Sequence, residues 1–247
     1  MIAPLIPYAI RGAIWYQGEA NANAPLAYRL LFPGMITCWR RAWHEGDFPF
    51  AYVQLANFMG IQQQAVEQWS WADIREAQLQ TLSLPNTGMA VIIDIGDAQD
   101  IHPKNKQEVG KRLALSMLAQ VYDKKLEFSG PLYQRMKVKK GQATLRFAHA
   151  DSLCTADSAN AKAGPLLGFA IAGGDKIFHV ANARIDGKTV VVWSDKVPQP
   201  VAVRYAWANN PVCNLYNAAG LPASPFRTDD WGLNEAKAAP DEKIAPQ

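Results

Sequence analysis

Short apolar runs alternate with stretches of helical periodicity through the first half of the chain. Residues 9–17 (AIRGAIWYQ), 48–58 (FPFAYVQLANF) and 87–97 (TGMAVIIDIGD) are apolar and short, which predicts three buried strands. Between the first two, 25–46 carries apolar residues at helical spacing, with Pro33 expected to break it and open a second helix. Residues 70–84 predict a helix with Ser70 as N-cap and Asp73 three residues on, in the capping-box position. Residues 105–123 predict an amphipathic helix whose buried stripe is Val109, Leu113, Met117 and Val121. Buried strands separated by helices imply an α/β unit, a parallel sheet covered by helices, over 1–128.

After FSGPLY (128–133) the texture changes. Short alternating runs follow: RMKVKK, QATLRFAH, GFAIAG, IFHVANARIDGKTVVVWSD and PVAVRYAWA. Gly173-Gly174 and Asp186-Gly187 punctuate them as turns, so 129–231 is expected to be β-rich. Residues 232–247 are rich in Ala, Pro, Glu and Lys with few apolar side chains, the composition of a tail. The chain contains no internal repeat.

Length and composition narrow the picture only slightly. The 247 residues suit one large domain or a domain with an appendage. The net charge is +3 and the basic residues are scattered, KVKK at 137–140 being the one short cluster, so nothing argues for nucleic acid. No apolar run approaches the roughly 18 residues of a membrane span. Cys38, Cys154 and Cys213 are far apart and form no CxxC, which excludes a zinc or redox motif of that type. They allow at most one disulfide. Eight Trp is a high count. Aromatic rings stack on sugars and also fill cores, so the count leans only slightly toward a carbohydrate ligand. The opening MIAPLIPYAIRG lacks the basic segment and cleavage site of a signal peptide and reads as mid-domain sequence.

The chemistry gathers where the strands end. In open parallel sheets ligands bind beyond the carboxyl ends of the strands. The first strand ends on Gln17, Gly18, Glu19, Ala20 and Asn21, and the third runs into DIGDAQDIHPKNK, with Asp94, Asp97, Asp100, His102 and Lys104. Parallel pairing brings both clusters to one sheet edge. His102, two residues from an acid on a loop, can serve as a general base whose tautomer the acid sets, or can be a surface histidine among helix-capping acids. Gln17 can donate to a developing oxyanion or can satisfy loop backbone. Glu19 can orient the loop or act as an acid, and pairing with Asp97 or Asp100 would suit a glycosidase. Asn21 and Asn23 read most simply as turn residues. His44, His149 and His179 have no motif around them and read as structural.

Five stretches together resemble the sialate O-acetylesterase-like branch of the SGNH hydrolases: MIAPLIPYAIRGAIWYQGEANA, FPFAYVQLANF, WADIREAQ, DIHPKNKQEVGKRLAL and PVAVRYAWANNPVCNLYNAAGLPASPFRTDDW. The resemblance implies an SGNH-type parallel sheet with flanking helices, incomplete at the N-terminus, and a carboxylesterase that releases acetate from O-acetylated glycans by Ser-His acyl transfer, with no cofactor or metal. It implies His102 as base, Gln17 in YQGEAN as an oxyanion donor, Asp100 in DIHP as the orienting acid, and Glu19 and Asn21 on the substrate side. Many SGNH enzymes place that acid three residues before the histidine, where this chain has Gln99. Asp100, Asp97 or a backbone carbonyl therefore remain alternatives. The family's GQSN serine motif and its WGG-type block have no counterpart here, and Met1 aligns with an internal Met of the family. The chain thus reads as the C-terminal part of a longer enzyme, lacking its nucleophile, with an exposed sheet edge open to a missing N-terminal segment or to a homo-oligomer. An extracellular or periplasmic site is expected by resemblance. The alternative is a non-catalytic carbohydrate-binding module or enzyme remnant.

Overall fold

Strands β1 (Ala13–Trp15), β2 (Phe50–Gln54) and β3 (Thr87–Val91) pair in parallel in that order. The computed structural model describes residues 2–67, 71–156, 165–232, 235–240, 242 and 244, so the expected N-cap Ser70 lies outside the described residues. Every residue of β2 and β3 is buried, which explains their continuous apolar runs: both faces are covered. Phe50 and Tyr52 face helices α1 (Pro25–Trp43) and α2 (Trp71–Gln80), meeting Phe32, Ile36 and Ile74. Ala51 and Val53 face the other way, onto Val109 and Leu113 of α3 (Lys106–Gln120). Alternation along one strand thus feeds two cores.

Pro33 does not break the helix: α1 is continuous through it. Its missing N–H costs one intrahelical bond, but the buried face of Tyr28, Phe32, Ile36, Arg40 and Trp43 runs on across it and outweighs that loss. His44, in the left-handed conformation at φ 55°, ends the helix. In α3 the Asn105 side chain caps the amide of Glu108 at 3.1 Å. The buried stripe there is Val109, Arg112, Leu113 and Ser116, while Val121 lies past the last turn. Gly88 lets Ser116 approach: a Cβ there would stand 1.9 Å from its Oγ.

The β-rich half is a sandwich. One sheet has the order β4 (Leu132–Lys139), β5 (Gln142–Ala148), β10 (Thr189–Trp193), β9 (Asn182–Asp186). The other has β13 (Phe226–Arg227), β11 (Ala202–Tyr205), β7 (Phe169–Ala172), β8 (Ile177–Val180), β14 (Lys237–Ala238). A small ladder joins β12 (Leu215–Asn217) to β6 (Leu153–Thr155). Leu145, Phe147, Val190 and Val192 pack against Phe169, Ile171, Val203 and Tyr205 between the sheets. The stretch read as a tail adds strand β14 to this sheet, with Ala236 and Ala239 buried. Backbone pairing and small side chains suffice there, so low apolar content did not prevent order.

Arg75 joins the halves. It is fully buried and donates to the carbonyls of Leu55 (2.8 Å), Ala56 (2.6 Å), Ala208 (2.7 Å) and Asn209 (2.8 Å). Burial pushes its guanidinium down to about 9. The four carbonyls replace the water that the cation lost.

Candidate active site

The chain leaves β1 and turns at Gly18, where a Cβ would stand 2.8 Å from Gln78 Nε2. That close approach lets Gln78 Nε2 donate to the Gln17 carbonyl at 3.2 Å while its Oε1 accepts the Leu55 amide at 3.0 Å. Tyr28 Oη donates to the same Gln17 carbonyl at 3.1 Å. One helix residue therefore fixes the ends of two neighbouring strands. The Gln17 side chain donates from Nε2 to Asn21 Oδ1 at 2.7 Å. An amide nitrogen carries two protons, so a second N–H stays free to donate.

Beyond β3, Asp94 is committed elsewhere. It takes a forked pair from Arg112 at 2.6 and 2.8 Å and the Tyr216 hydroxyl at 3.1 Å. Burial, reinforced by Asp94, pushes the Tyr216 hydroxyl far up, so it stays a donor. Gly96 then presses on Asn57: its amide donates to Asn57 Oδ1 at 2.7 Å, and a Cβ would stand 2.0 Å from the Asn57 carbonyl oxygen. Asn57 Nδ2 continues to Asn210 Oδ1 at 2.9 Å, and Asn210 Nδ2 to the Met59 carbonyl at 2.9 Å. Met59 sits in the left-handed region at φ 71°, held by its amide on the Ala98 carbonyl at 3.1 Å.

Asp97 and Asp100 then separate in role. Asp97 accepts the Gln99 amide at 2.9 Å and lies 3.4 Å from Lys104 Nζ. Asp100 Oδ1 accepts the His102 amide at 2.9 Å and lies 3.1 Å from His102 Nδ1. The backbone amide of His102, then its ring, hold the Asp100 carboxyl below its usual range. An ionised carboxylate only accepts, so Nδ1 donates and the neutral ring keeps its lone pair on Nε2. The ring is open to solvent, 76% exposed.

Gln17, Glu19 and His102 line one cavity of about 680 Å³, with Tyr16, Trp71, Ile101 and Lys106. Asp100 stands behind the histidine and Asn21 behind the glutamine, neither on the cavity wall, whereas Asn23 is on it. Neither Asp97 nor Asp100 stands with Glu19 on the wall, where a glycosidase pair would be needed. Tyr16, Trp71 and Lys106 were not singled out from sequence. The Lys106 Nζ sits over the Tyr16 ring, 4.9 Å from its centroid, and Trp71 packs on Phe58 at 4.9 Å between centroids. Trp71 of α2 and Lys106 of α3 both line the opening, a placement that periodicity does not reveal. Of the other histidines, His149 pairs with Glu127 at 2.7 Å and His179 with Glu242 at 2.9 Å, and His44 ends α1; none lines the cavity.

Among the described residues no serine lines the cavity. Ser224 is buried on Gln54, Ser129 donates to the Gly130 carbonyl, and Ser70 and Ser158 lie outside the described residues. The described residues hold no group of three or more His, Cys, Asp or Glu side chains placed to bind a metal ion.

Residues 3–119 match a family described as carbohydrate esterase, sialic acid-specific acetylesterase. The sialate O-acetylesterase of Mus musculus is 31% identical over 265 residues, spanning 92% of this chain and 46% of that protein. The Homo sapiens sialate O-acetylesterase is 29% identical over 261 residues, spanning 92% of this chain and 47% of that protein. A crystal structure of a carbohydrate acetylesterase from Xanthomonas citri matches with a TM-score of 0.85 at 46% identity, covering 92% of this chain and 52% of that one. The chain spans about half the length of the relatives it matches.

Proposed function

We propose, from the match of residues 3–119 to the sialic acid-specific acetylesterase family of carbohydrate esterases, that the chain serves in releasing acetate from O-acetylated sugars by Ser-His acyl transfer. The observation that carries this reading is the Asp100–His102 contact of 3.1 Å, which leaves Nε2 free on the cavity that Gln17 also lines. The serine oxygen attacks the acetyl carbonyl as Nε2 takes its proton. The free Gln17 N–H donates to the oxyanion. The sugar oxygen leaves with the proton from His102, and a water activated by the same nitrogen releases acetate. Glu19 and the Trp71 ring supply the sugar-facing wall.

The nucleophile comes, in this reading, from a segment outside these 247 residues that seats along β1. Two observations support that. No described serine reaches the cavity, and among the described residues β1 pairs on one side only, with its Ile14 66% exposed. A second copy of the chain is the competing occupant of that edge, and sedimentation velocity separates the two.

Hydrolysis of p-nitrophenyl acetate by the chain and its His102→Ala variant, with fluorophosphonate labelling of serines, tests the reading. Equal, near-background rates and no labelled serine are expected, with His102-dependent acetate release once the upstream segment is added. A labelled serine in this chain would overturn the external nucleophile. Failure of the upstream segment to restore turnover, with O-acetylated glycan still bound, would favour a carbohydrate-binding module instead.

A further inference from the structure

The outer face of the β4–β5 ladder extends the short basic cluster at 135–140 with a cation from the neighbouring strand. The strand pleat sends Lys137 and Lys139 to one side together with Arg135, and β5 adds Arg146 directly opposite Arg135. These four side chains are exposed, and among the described residues no carboxylate pairs with any of them. Like charges facing each other across a ladder destabilise it, so this arrangement works against the sheet that carries it. The four cations line a hollow of about 520 Å³, joined by the hydroxyls of Thr144 and Thr189. None of these residues lines the cavity that holds His102.

We propose that this hollow binds a carboxylate-bearing polysaccharide. The cations on β4 repeat every second residue, about 7 Å apart at strand rise, so they meet a ligand with charges spaced along a chain. The Thr144 hydroxyl suits the neutral hydroxyls between those charges, as does the Thr189 hydroxyl as an acceptor, its proton being donated to the Asp186 carbonyl at 2.8 Å. No aromatic ring lines the hollow for nucleic-acid bases to stack on. Trp193, on the neighbouring strand β10, has the Arg184 guanidinium 5.2 Å from its ring centroid. Val138 is the single aliphatic side chain in the lining, too little for a protein interface core. The preference for a carbohydrate over another polyanion also rests on the sugar-esterase reading.

The test is binding of polygalacturonate to the 247-residue chain and to an Arg135→Gln/Lys137→Gln/Arg146→Gln variant, by calorimetry at several salt concentrations. Neutral dextran, poly-glutamate and a thymidine oligonucleotide serve as comparison ligands. Circular dichroism checks that the variant, altered only at exposed positions, keeps its fold. Expected are salt-sensitive binding to polygalacturonate, a loss of about tenfold or more in the variant, and a salt slope shallower by up to about three charges. No binding to polygalacturonate, or equal binding by the variant, would overturn the site. Binding of oligonucleotide or poly-glutamate at least as tightly would overturn the carbohydrate assignment. Binding is read without turnover, so its outcome is separate from that of the esterase assay.

Discussion

One oxygen of Asp100 accepts two protons from His102, the backbone amide at 2.9 Å and ring Nδ1 at 3.1 Å. A side chain two residues away thereby fixes both the turn and the tautomer of the ring. In Asp100→Asn the new amide can donate to Nδ1, which moves the ring proton to Nε2. Nitrogen-15 NMR of the neutral imidazole should show Nδ1–H in the wild type and a large Nε2–H population in Asp100→Asn. Asp97→Asn should leave the ring unchanged, since Asp97 serves Gln99 and Lys104. An unchanged tautomer in Asp100→Asn would remove Asp100 from the positioning role.

Gly96→Ala should disturb the histidine loop without touching it. The added methyl would fall 2.0 Å from the Asn57 carbonyl oxygen, which is backbone and cannot swing aside. A cost of about 1–3 kcal/mol is expected, as for other overpacked sites. Urea unfolding measures it, and crystallography should show the contact between Gly96 amide and Asn57 Oδ1 lost. Gly110→Ala is the control, because nothing lies within 4 Å of its Cβ position.

Arg75→Lys should lower stability by about 1–3 kcal/mol, since three protons cannot serve four carbonyls and at least one is left buried and unpaired. Arg75→Met should strand all four and cost about 4 kcal/mol or more, a large share of a typical domain's stability. Urea midpoints check both, and a methionine variant as stable as the wild type would refute the account.

The cysteines should divide by environment. Cys38 is exposed and should react with thiol reagents in the folded chain. Burial pushes the Cys213 thiol up to about 12, against an ordinary 9.0. Partly exposed in the folded chain, it should react there more slowly than Cys38 and fully on unfolding. Between those two values the folded chain keeps a proton that the unfolded chain releases, so stability falls as pH rises through the window. Cys213→Ala should remove that part of the fall, read as a smaller drop in urea midpoint between about pH 8 and about pH 10.

Strands β2 and β3 were legible because burial on both faces leaves continuous apolar runs, whereas β1, expected to be buried as well, is an edge strand with Ile14 66% exposed. Pro33 misled because a local rule about one missing N–H says nothing of the apolar face that continues past it. Arg112 lies on the buried face of α3, where it donates to the Val91 carbonyl and to Asp94, and an apolar periodicity is blind to a polar residue that finds partners inside. The paired clusters at Gln17 and His102 were readable from strand order alone. Trp71 and Lys106 were not, because their place on the wall depends on where helices begin relative to a sheet edge. The separation of Asp97 from Asp100 was beyond sequence, since both stand within five residues of the histidine and only the turn decides between them.

Glu76 is bound by Arg29 of α1 and by Arg227 of β13, the latter at 2.6 and 3.0 Å. One carboxylate on α2 thus receives a guanidinium from each half of the chain, and it is the residue next to Arg75 and its four carbonyls. The two halves differ in texture but are not interchangeable parts. A graft that replaced the sandwich with another β-rich unit would have to bring an arginine at the β13 position and carbonyls in the places of Ala208 and Asn209. Without them, the helix that fixes Gln17 would lose one of the two guanidiniums on Glu76 and two of the four carbonyls on Arg75.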